Sequence, residues 1–404
     1  MISVEEALNT LFALVNPLEV EIVPLREAAG RVLAHPVTAQ RDQPPFPASS
    51  MDGYAISDSD YVTGRTLQVI GEATAGTRFE GTVDQGQAVR IFTGAPVPEG
   101  ATWVVVQEDV DATKDQITIR ETSESNPYIR PAGTDFKVGQ TLEAPQILTP
   151  QLIALLASMN ISKVSVTRHP DVALISTGTE LVMPGESPGP DQIIASNTFG
   201  LKAMLEAIGA RVRVLPIAHD TIPALTTAIK LAKGSDLIIT IGGASVGDHD
   251  LVGDVAETLG MERAFYKVAM RPGKPLMAGK LGNAAMIGLP GNPVSAMVCG
   301  VVFVQPVIRA MLGLGKTPLP HAKARIAQDL PENGPRANYM RARIEDGQVT
   351  AFERQDSALL TVLAQANALL LRPLHDPRCK LAQRSRLFLF NQTEQIVDTK
   401  QEHR

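Results

Sequence analysis

The sequence predicts a multidomain α/β protein built around a doubly wound parallel sheet. Three observations point there. Between residues 171 and 315, apolar runs alternate with stretches of helical period: VALIS, NTFGLKAMLEAIG, RVRVLPIA, IPALTTAIKLAKG, DLIITI, AAMIGL and VSAMVCGVVFVQPVIRAML. Near-continuous apolar strands between helices belong to a sheet covered on both faces. From about residue 50 to 135, short runs (TLQVIGEA, QAVRIF, TWVVVQEDV) lie between Gly and Pro turns, the texture of a small β-rich domain. From 321 onward the chain returns to short strands (KARIAQ, YMRARIE, QVTAFER, ALLLRPL, SRLFLFN), which suit a small barrel or sandwich.

The elements follow in chain order. Ser3 and Glu6 form a capping box that opens an amphipathic helix. RDQPPFP (41–47) breaks the chain and marks a domain entry. TPQLIALLASM is helical, with Thr149 as N-cap and Pro150 at the first helical position. The apolar stretch Ala296 to Val304 is too short to span a bilayer and is followed by Gln305, Pro306 and Arg309.

At roughly 100–200 residues per domain, a chain of 404 residues has room for several domains. Its 37 basic and 43 acidic side chains leave a net charge of −6, which excludes a nucleic-acid partner held by a basic surface. An anion must then be held by local geometry and a few placed cations. The two cysteines, Cys299 and Cys379, form no CxxC pair and suit a reducing cytosol. The N-terminus is acidic where a signal peptide would be basic, so no membrane and a cytoplasmic location are expected.

Three strands of the α/β region end in glycine-rich turns: ISTGTEL (175–181), TIGGASVGDHD (240–250) and GLPGNPVSA (288–296). Ligands of open α/β sheets collect at the carboxyl ends of strands. Glycine lets backbone approach a ligand, and free N–H groups at a helix N-terminus bind anions. One such turn is ordinary turn chemistry; three together predict a site for a phosphate-bearing ligand. None matches the P-loop or Rossmann fingerprint. Asp248, His249 and Asp250 in the second turn, with His219-Asp220 after RVRVLPIA, form either a divalent-cation site or a solvated loop edge. MRPGKP places Arg271 and Lys274 around a rigid turn that can grip an oxyanion or simply face water. Asp52 in SSMDGYAI, Thr93 in FTGAPVPEGA, and Arg130 and Asp135 in IRPAGTD stand at turns as well.

MDGYA, TGAPVPEGA, RPAGTD, STGTEL, GGASVGDHD, RPGKP and GLPGNPVSA occur in the order found in the molybdopterin molybdenumtransferases. The chain therefore resembles the MoeA family, which includes the E domain of gephyrin, over nearly its whole length. That resemblance implies four parts: an elongated helical domain (1–44 and 136–168), a β-rich insertion (45–135), an α/β domain like that of molybdopterin adenylyltransferase (169–320), and a C-terminal β-barrel (321–404). It implies a homodimer with the β-rich domain of one subunit facing the α/β and C-terminal domains of the other. The implied reaction inserts molybdate into adenylylated molybdopterin with release of AMP, assisted by Mg²⁺.

Carried over residue by residue, the resemblance makes Asp52, Asp135, Glu180, Asp220 and Asp250 catalytic, the last three as metal ligands. Thr93, Arg130, Thr177, Gly178, Gly242, Gly243, Ser245, Gly291, Asn292 and Ser295 would bind the pterin and nucleotide. Arg271, Lys274, Arg341 and Ser357 would hold molybdate. Many relatives carry Lys where Arg271 stands. Further implied partners are molybdopterin adenylyltransferase and apo-molybdoenzymes. The competing readings are a molybdopterin adenylyltransferase, a scaffold, and an inactive regulatory paralogue. MDGYA and RPAGTD argue against the first, because adenylylation needs only the α/β part.

Overall fold

The computed structural model describes residues 1–120, 125–243 and 250–390. The chain divides into two compact units. One holds Met1–Glu21, Gly30–Val32 and the chain from Thr167 onward; the other holds Ile22–Ala29 and Leu33–Val166.

The first unit is organised by a six-stranded sheet. Its strands are β1 (Asp171–Ser176), β2 (Arg211–Val214), β3 (Leu237–Ile241), β4 (Met261–Tyr266), β5 (Met277–Leu281) and β6 (Ala284–Leu289), in the spatial order β2-β1-β3-β6-β5-β4. The first four in that order are parallel, with register pairs such as Leu174↔Ile239 and Ile239↔Ile287. The expectation of a purely parallel sheet needs correction at one edge, where β5 pairs antiparallel with both β6 and β4. Only Gly282 and Asn283 join β5 to β6, with Gly282 at φ +59°. A two-residue turn allows a hairpin and no crossover.

Alternate residues of the parallel strands enter two cores. Val172, Leu174, Ile239 and Ile287 face one side. Ala173, Ile175, Ile238 and Met286 face the other, against Leu225 and Ile229 of the helix Ile222–Leu231 and Val252 and Val255 of the helix Leu251–Thr258. Apolar runs on β1, β3 and β6 follow from this double burial.

The helix Val4–Leu14 carries the expected capping box, with the Glu6 N–H donating to Ser3 Oγ and the Ser3 N–H to Glu6 Oε2. Its Ala7, Leu8, Leu11 and Phe12 are buried in the α/β core. Its apolar stripe is completed by the α/β core. The run Pro293–Met311 continues through Pro306, as its helical period leads one to expect. A π turn at Gly300–Val304 precedes the helical turn Gln305–Met311, which has proline in its opening positions, where a missing N–H costs least. This helix is long and apolar enough to cross a membrane, but 83% of it is buried inside the protein as core. A side chain at Gly300 would lie 2.8 Å from Leu201 Cδ2, so the helix Asn197–Glu206 packs directly on the π turn.

The C-terminal strands close a five-stranded barrel. Ala337–Glu345 pairs with Gln348–Ala351, which leads through Ala322–Ile326, Arg384–Leu389 and Ala368–Arg372 back to Ala337–Glu345. Ala342, Val349, Leu370 and Leu387 fill it. A short strand, Met270–Arg271, lies parallel to Ala337–Asn338 and docks the RPGKP turn on the barrel.

The second unit has a six-stranded sheet, Trp103–Val106, Gly53–Ile56, Gln87–Ile91, Thr66–Ala73, Gln116–Ile119 and Val110–Ala112 in spatial order. This is the expected β-rich domain. The flanking segments are less helical than expected. They contribute the helix Pro150–Ser158, capped by Thr149 as anticipated, and otherwise short strands around Leu33, Phe136, Leu148 and Leu156.

Phe303 is fully buried in the π turn. Phe303→Ala should cost about 3–5 kcal/mol, read as a lower urea midpoint at unchanged slope. A loss under about 1 kcal/mol would show that the helix does not pack as described.

Candidate active site

The carboxyl ends of β1, β3 and β6 are stitched together beyond the strands themselves. The Thr177 N–H donates to the Ile241 carbonyl (2.9 Å), the Gly242 N–H to that of Leu289 (3.0 Å), and the Gly178 N–H to that of Ala218 (3.0 Å). The three glycine turns thereby meet in one open cleft of about 810 Å³. Thr177, Gly178, Glu180, Asp220, Gly242, Gly243, Gly291 and Asn292 all line it, as the sequence predicts. Glycine is required at its centre. Gly242 has φ +99°, and a Cβ there would lie 2.5 Å from the Thr177 carbonyl oxygen; at Gly243 (φ +69°) it would lie 2.2 Å from Val252.

Glu180 and Asp220 are exposed carboxylates on the cleft wall. Neither forms an ion pair among the described residues. Asp250 behaves differently and does not join them. It is buried, caps the helix Leu251–Thr258 by accepting the Gly253 N–H (3.0 Å), and lies 3.6 Å from Arg263 Nη1. A carboxylate with those two partners completes a helix start, and Leu251 is the neighbour that reaches the cleft wall. Among the described residues no three of His, Cys, Asp and Glu group as a metal site. Of the expected triad, Glu180 and Asp220 stand on the cleft wall, and Asp250 caps a helix with its Oδ2 buried and without a hydrogen-bond partner among the described residues. Ser245, Asp248 and His249 lie outside the described residues.

The third turn also departs from expectation. Ser295 is buried inside its helix and is not part of the cleft wall. The Val294 N–H at the helix start is already used, donating to the Ser357 carbonyl at 3.0 Å. Asn292 Nδ2 donates to Ser357 Oγ (3.1 Å). The barrel loop thus latches onto the glycine turn, and its next residue, Ala358, lines the cleft. Asn197 escaped the sequence reading; it lines the cleft and donates from Nδ2 to the Gly291 carbonyl (2.7 Å). Its only signal was a polar residue opening a helix near that edge. Ile193 and Ile194 form an apolar stretch of wall that no motif announced.

The expected oxyanion residues Arg271, Lys274, Arg341 and Ser357 are not themselves in the cleft wall, which their neighbours Pro275 and Ala358 reach. Pro275, next to Lys274, lines the cleft. Gly273 (φ +110°) packs so closely on Cys299 that a Cβ would lie 2.5 Å from its sulfur, which fixes the turn between Arg271 and Lys274. Arg341 is 1% exposed. Its Nη2 donates to the Asp356 carbonyl (3.1 Å), and its Nε has no partner among the described residues. Burial, and then repulsion from Arg271, hold its pKa below the usual arginine value, partly offset by Asp356. A dry, under-bonded guanidinium beside a second arginine is a receptor for an anion.

In the second unit, Asp52 and Thr93 meet. Asp52 Oδ1 accepts both the Thr93 N–H (2.7 Å) and the Thr93 hydroxyl (2.8 Å). Those bonds, the N–H first, keep the carboxyl below its ordinary pKa. Arg130 is exposed on a short strand paired with Ala48–Ser49, beside the segment that leads to Asp52. Asp135 is exposed, with its N–H bonded to the Gln43 carbonyl.

Residues 2–160 match the MoeA N-terminal region (domain I and II), 173–310 a probable molybdopterin binding domain, and 323–379 the MoeA C-terminal region (domain IV). The chain belongs to the MoeA family. It is 37% identical over 395 residues to the molybdopterin molybdenumtransferase of a Nostoc species, covering 93% of this chain and 90% of that one. It is 38% identical over 365 residues to the enzyme of the same name from Haemophilus influenzae, covering 88% and 90%. The molybdopterin biosynthesis MoeA protein of Pyrococcus horikoshii superposes with a TM-score of 0.81 at 28% identity, over 97% of this chain and 99% of that one. MoeA membership accounts for the order of the seven motifs and for the barrel that carries Arg341.

Arg341→Met removes a poorly solvated charge. It should leave stability unchanged or raise it by up to about 2 kcal/mol, while a tetrahedral dianion such as molybdate no longer raises the melting temperature. Undiminished stabilisation by the dianion would remove Arg341 from the anion site.

Proposed function

We propose that this chain is a molybdopterin molybdenumtransferase of molybdenum-cofactor biosynthesis, inserting molybdate into adenylylated molybdopterin and releasing AMP. The observation that carries the reading is the cleft itself. Three glycine turns and two carboxylates free of ion pairs share its wall, and the loop that holds the buried Arg341 through the Asp356 carbonyl reaches that wall at Ala358.

Cleaving a phosphoanhydride calls for positioning and charge neutralisation more than for a covalent nucleophile. The glycine turns would let the substrate's phosphates approach the backbone at Gly242 and Gly243. Arg271, Lys274 and Arg341, with the Ser357 hydroxyl, would hold the molybdate substrate. Mg²⁺ is typically bound by one or two carboxylates together with substrate phosphates, so Glu180 and Asp220 fit it without a third acid. When bound, it would neutralise charge on the phosphate oxygens. Glu180 and Asp220 keep that wall acidic and orient what binds there. Asp52, hydrogen-bonded by Thr93, stays ionised and serves as an acceptor, with Asp135 and Arg130 as further polar contacts in its unit. Binding of tungstate in place of molybdate is compatible with the same cations.

The protein would act in the cytoplasm as a homodimer. It would receive its substrate from molybdopterin adenylyltransferase and deliver product to apo-molybdoenzymes. The motifs of the second unit favour this reading over an adenylyltransferase, which would consume ATP.

A single-turnover mixture of protein, adenylylated molybdopterin, Mg²⁺ and molybdate should release AMP in a molybdate-dependent way and reconstitute an apo-molybdoenzyme. Substrate binding without AMP release, under conditions where another MoeA enzyme turns over, would overturn the proposal. Asp220→Ala should lower turnover about a hundredfold or more with the melting temperature unchanged, since the side chain is exposed. Full activity in that variant would remove Asp220 from the chemistry.

A further inference from the structure

Arg90 belongs to no motif that led to the site, yet it is the most elaborately held cation in the second unit. It lies on the strand Gln87–Ile91, directly opposite Tyr54 on Gly53–Ile56. Its guanidinium sits 5.0 Å from the centre of the Tyr54 ring and 4.8 Å from that of Phe92. Nη1 donates to the Gly53 carbonyl (3.2 Å) and Nη2 to Gln107 Oε1 (2.7 Å). No carboxylate pairs with it among the described residues.

Each of these contacts bears on Asp52. The Gln107 N–H donates to the Asp52 carbonyl (3.1 Å), and Thr93 holds the Asp52 carboxylate. Gly53 is pressed against the next strand, where a Cβ would lie 1.9 Å from the Val105 carbonyl oxygen. The carbonyl of Asp52 is thus fixed by Gln107, that of Gly53 by Arg90, and the carboxylate by Thr93. We propose that Arg90 is the positioning residue for Asp52, fixing the turn that presents its carboxylate through the paired contacts to Gly53 and Gln107.

The proposal rests on the reading of Asp52 as part of the reaction. A lysine could not replace the arginine, because a point charge lacks the planar fork that reaches two acceptors and stacks between two rings. The unneutralised guanidinium also adds to the lowering of the Asp52 pKa, after the two Thr93 bonds. The other charged groups on the packed elements are Glu72, opposite Arg90 on the strand Thr66–Ala73, Glu108 and Asp109 beside Gln107, and Arg120. Glu108 accepts from the Gln107 amide (3.2 Å), and Arg120 donates to the Glu108 carbonyl. Removing Arg90 takes from Asp52 the cation that helps to keep its carboxyl ionised.

The test follows the Asp52 carboxyl directly in the full-length protein. Aspartate carboxyl carbons are labelled with carbon-13, and the Asp52 signal is identified by its loss in Asp52→Asn. In Arg90→Met its titration midpoint should rise by about half a pH unit or more. The acid limb of single-turnover AMP release should move by the same amount, and the alkaline plateau should fall about tenfold. Arg90→Lys should keep the titration of the native protein and still lose the plateau rate. Arg90→Gln stands in should Arg90→Met not fold. An unmoved Asp52 titration, with or without slower turnover, would show that Arg90 only closes the sheet and would overturn the proposal. Full turnover in Asp52→Asn would overturn it by a separate route, through the reading on which it rests.

Discussion

The cleft exists because the hydrogen-bond ladder of the parallel sheet runs on past the ends of its strands. Thr177 bonds to Ile241 and Gly242 bonds to Leu289 in the positions that two further strand residues would take. This draws the turns after β1, β3 and β6 closer together than side chains would permit. Gly242 must lie against the Thr177 carbonyl, where a Cβ would be 2.5 Å from the oxygen, and Gly243 against Val252. The remaining wall hangs from that core of backbone: Asn197 reaches Gly291, and Asn292 reaches the barrel. The price is that several N–H groups at the strand ends are already satisfied. Anion binding must then draw on cations brought from elsewhere in the chain.

The barrel supplies them. Its Ser357 loop accepts the Val294 N–H and the Asn292 amide, so the third glycine turn and the oxyanion rim form one hydrogen-bonded piece. The same loop carries the Asp356 carbonyl that holds Arg341, while Gln355 Oε1 accepts the Arg341 N–H. The short strand Met270–Arg271 adds to the barrel beside Ala337, which carries Arg271 to the region of Arg341. A net charge of −6 is therefore compatible with an anion site. What matters is the local field, and here Arg271 lies close enough to Arg341 to lower its pKa, with Asp356 only partly offsetting it.

Much of this was legible in the sequence, for identifiable reasons. β1, β3 and β6 are buried on both faces, so their composition alone marks them. The caps at Ser3 and Thr149 are local hydrogen bonds that depend on no distant residue. The antiparallel edge was missed although its signal was present, since Gly282-Asn283 between two apolar runs is a hairpin turn. The sequence shows that the helix Val4–Leu14 has an apolar stripe, but periodicity does not show what buries it. The long apolar helix was legible as one stretch, VSAMVCGVVFVQPVIRAML, but its π turn was not. Asp250 caps a helix, and a cap and a metal ligand are the same residue type at the same kind of turn, so the sequence alone does not separate the two roles. Arg90 had no sequence signal and Asn197 only its place at a helix start, because their roles arise from partners 37 and 94 residues away.

The site also sorts its charges by hydration, and that sorting supports the proposed chemistry. The acids that fit a divalent cation, Glu180 and Asp220, stand exposed on the cleft wall. Mg²⁺ gives up its waters reluctantly, so ligands that leave room for them suit it. The guanidinium of Arg341 is dry and one N–H short of partners. An oxyanion entering there must shed water on that side, and a desolvated charge-assisted hydrogen bond repays the loss better than a hydrated one. A site built for a hydrated cation and a partly dehydrated oxyanion needs both environments within one rim. On the proposed reading the α/β edge would provide the wet acids and the barrel the dry arginine, so that neither domain would suffice for the reaction alone.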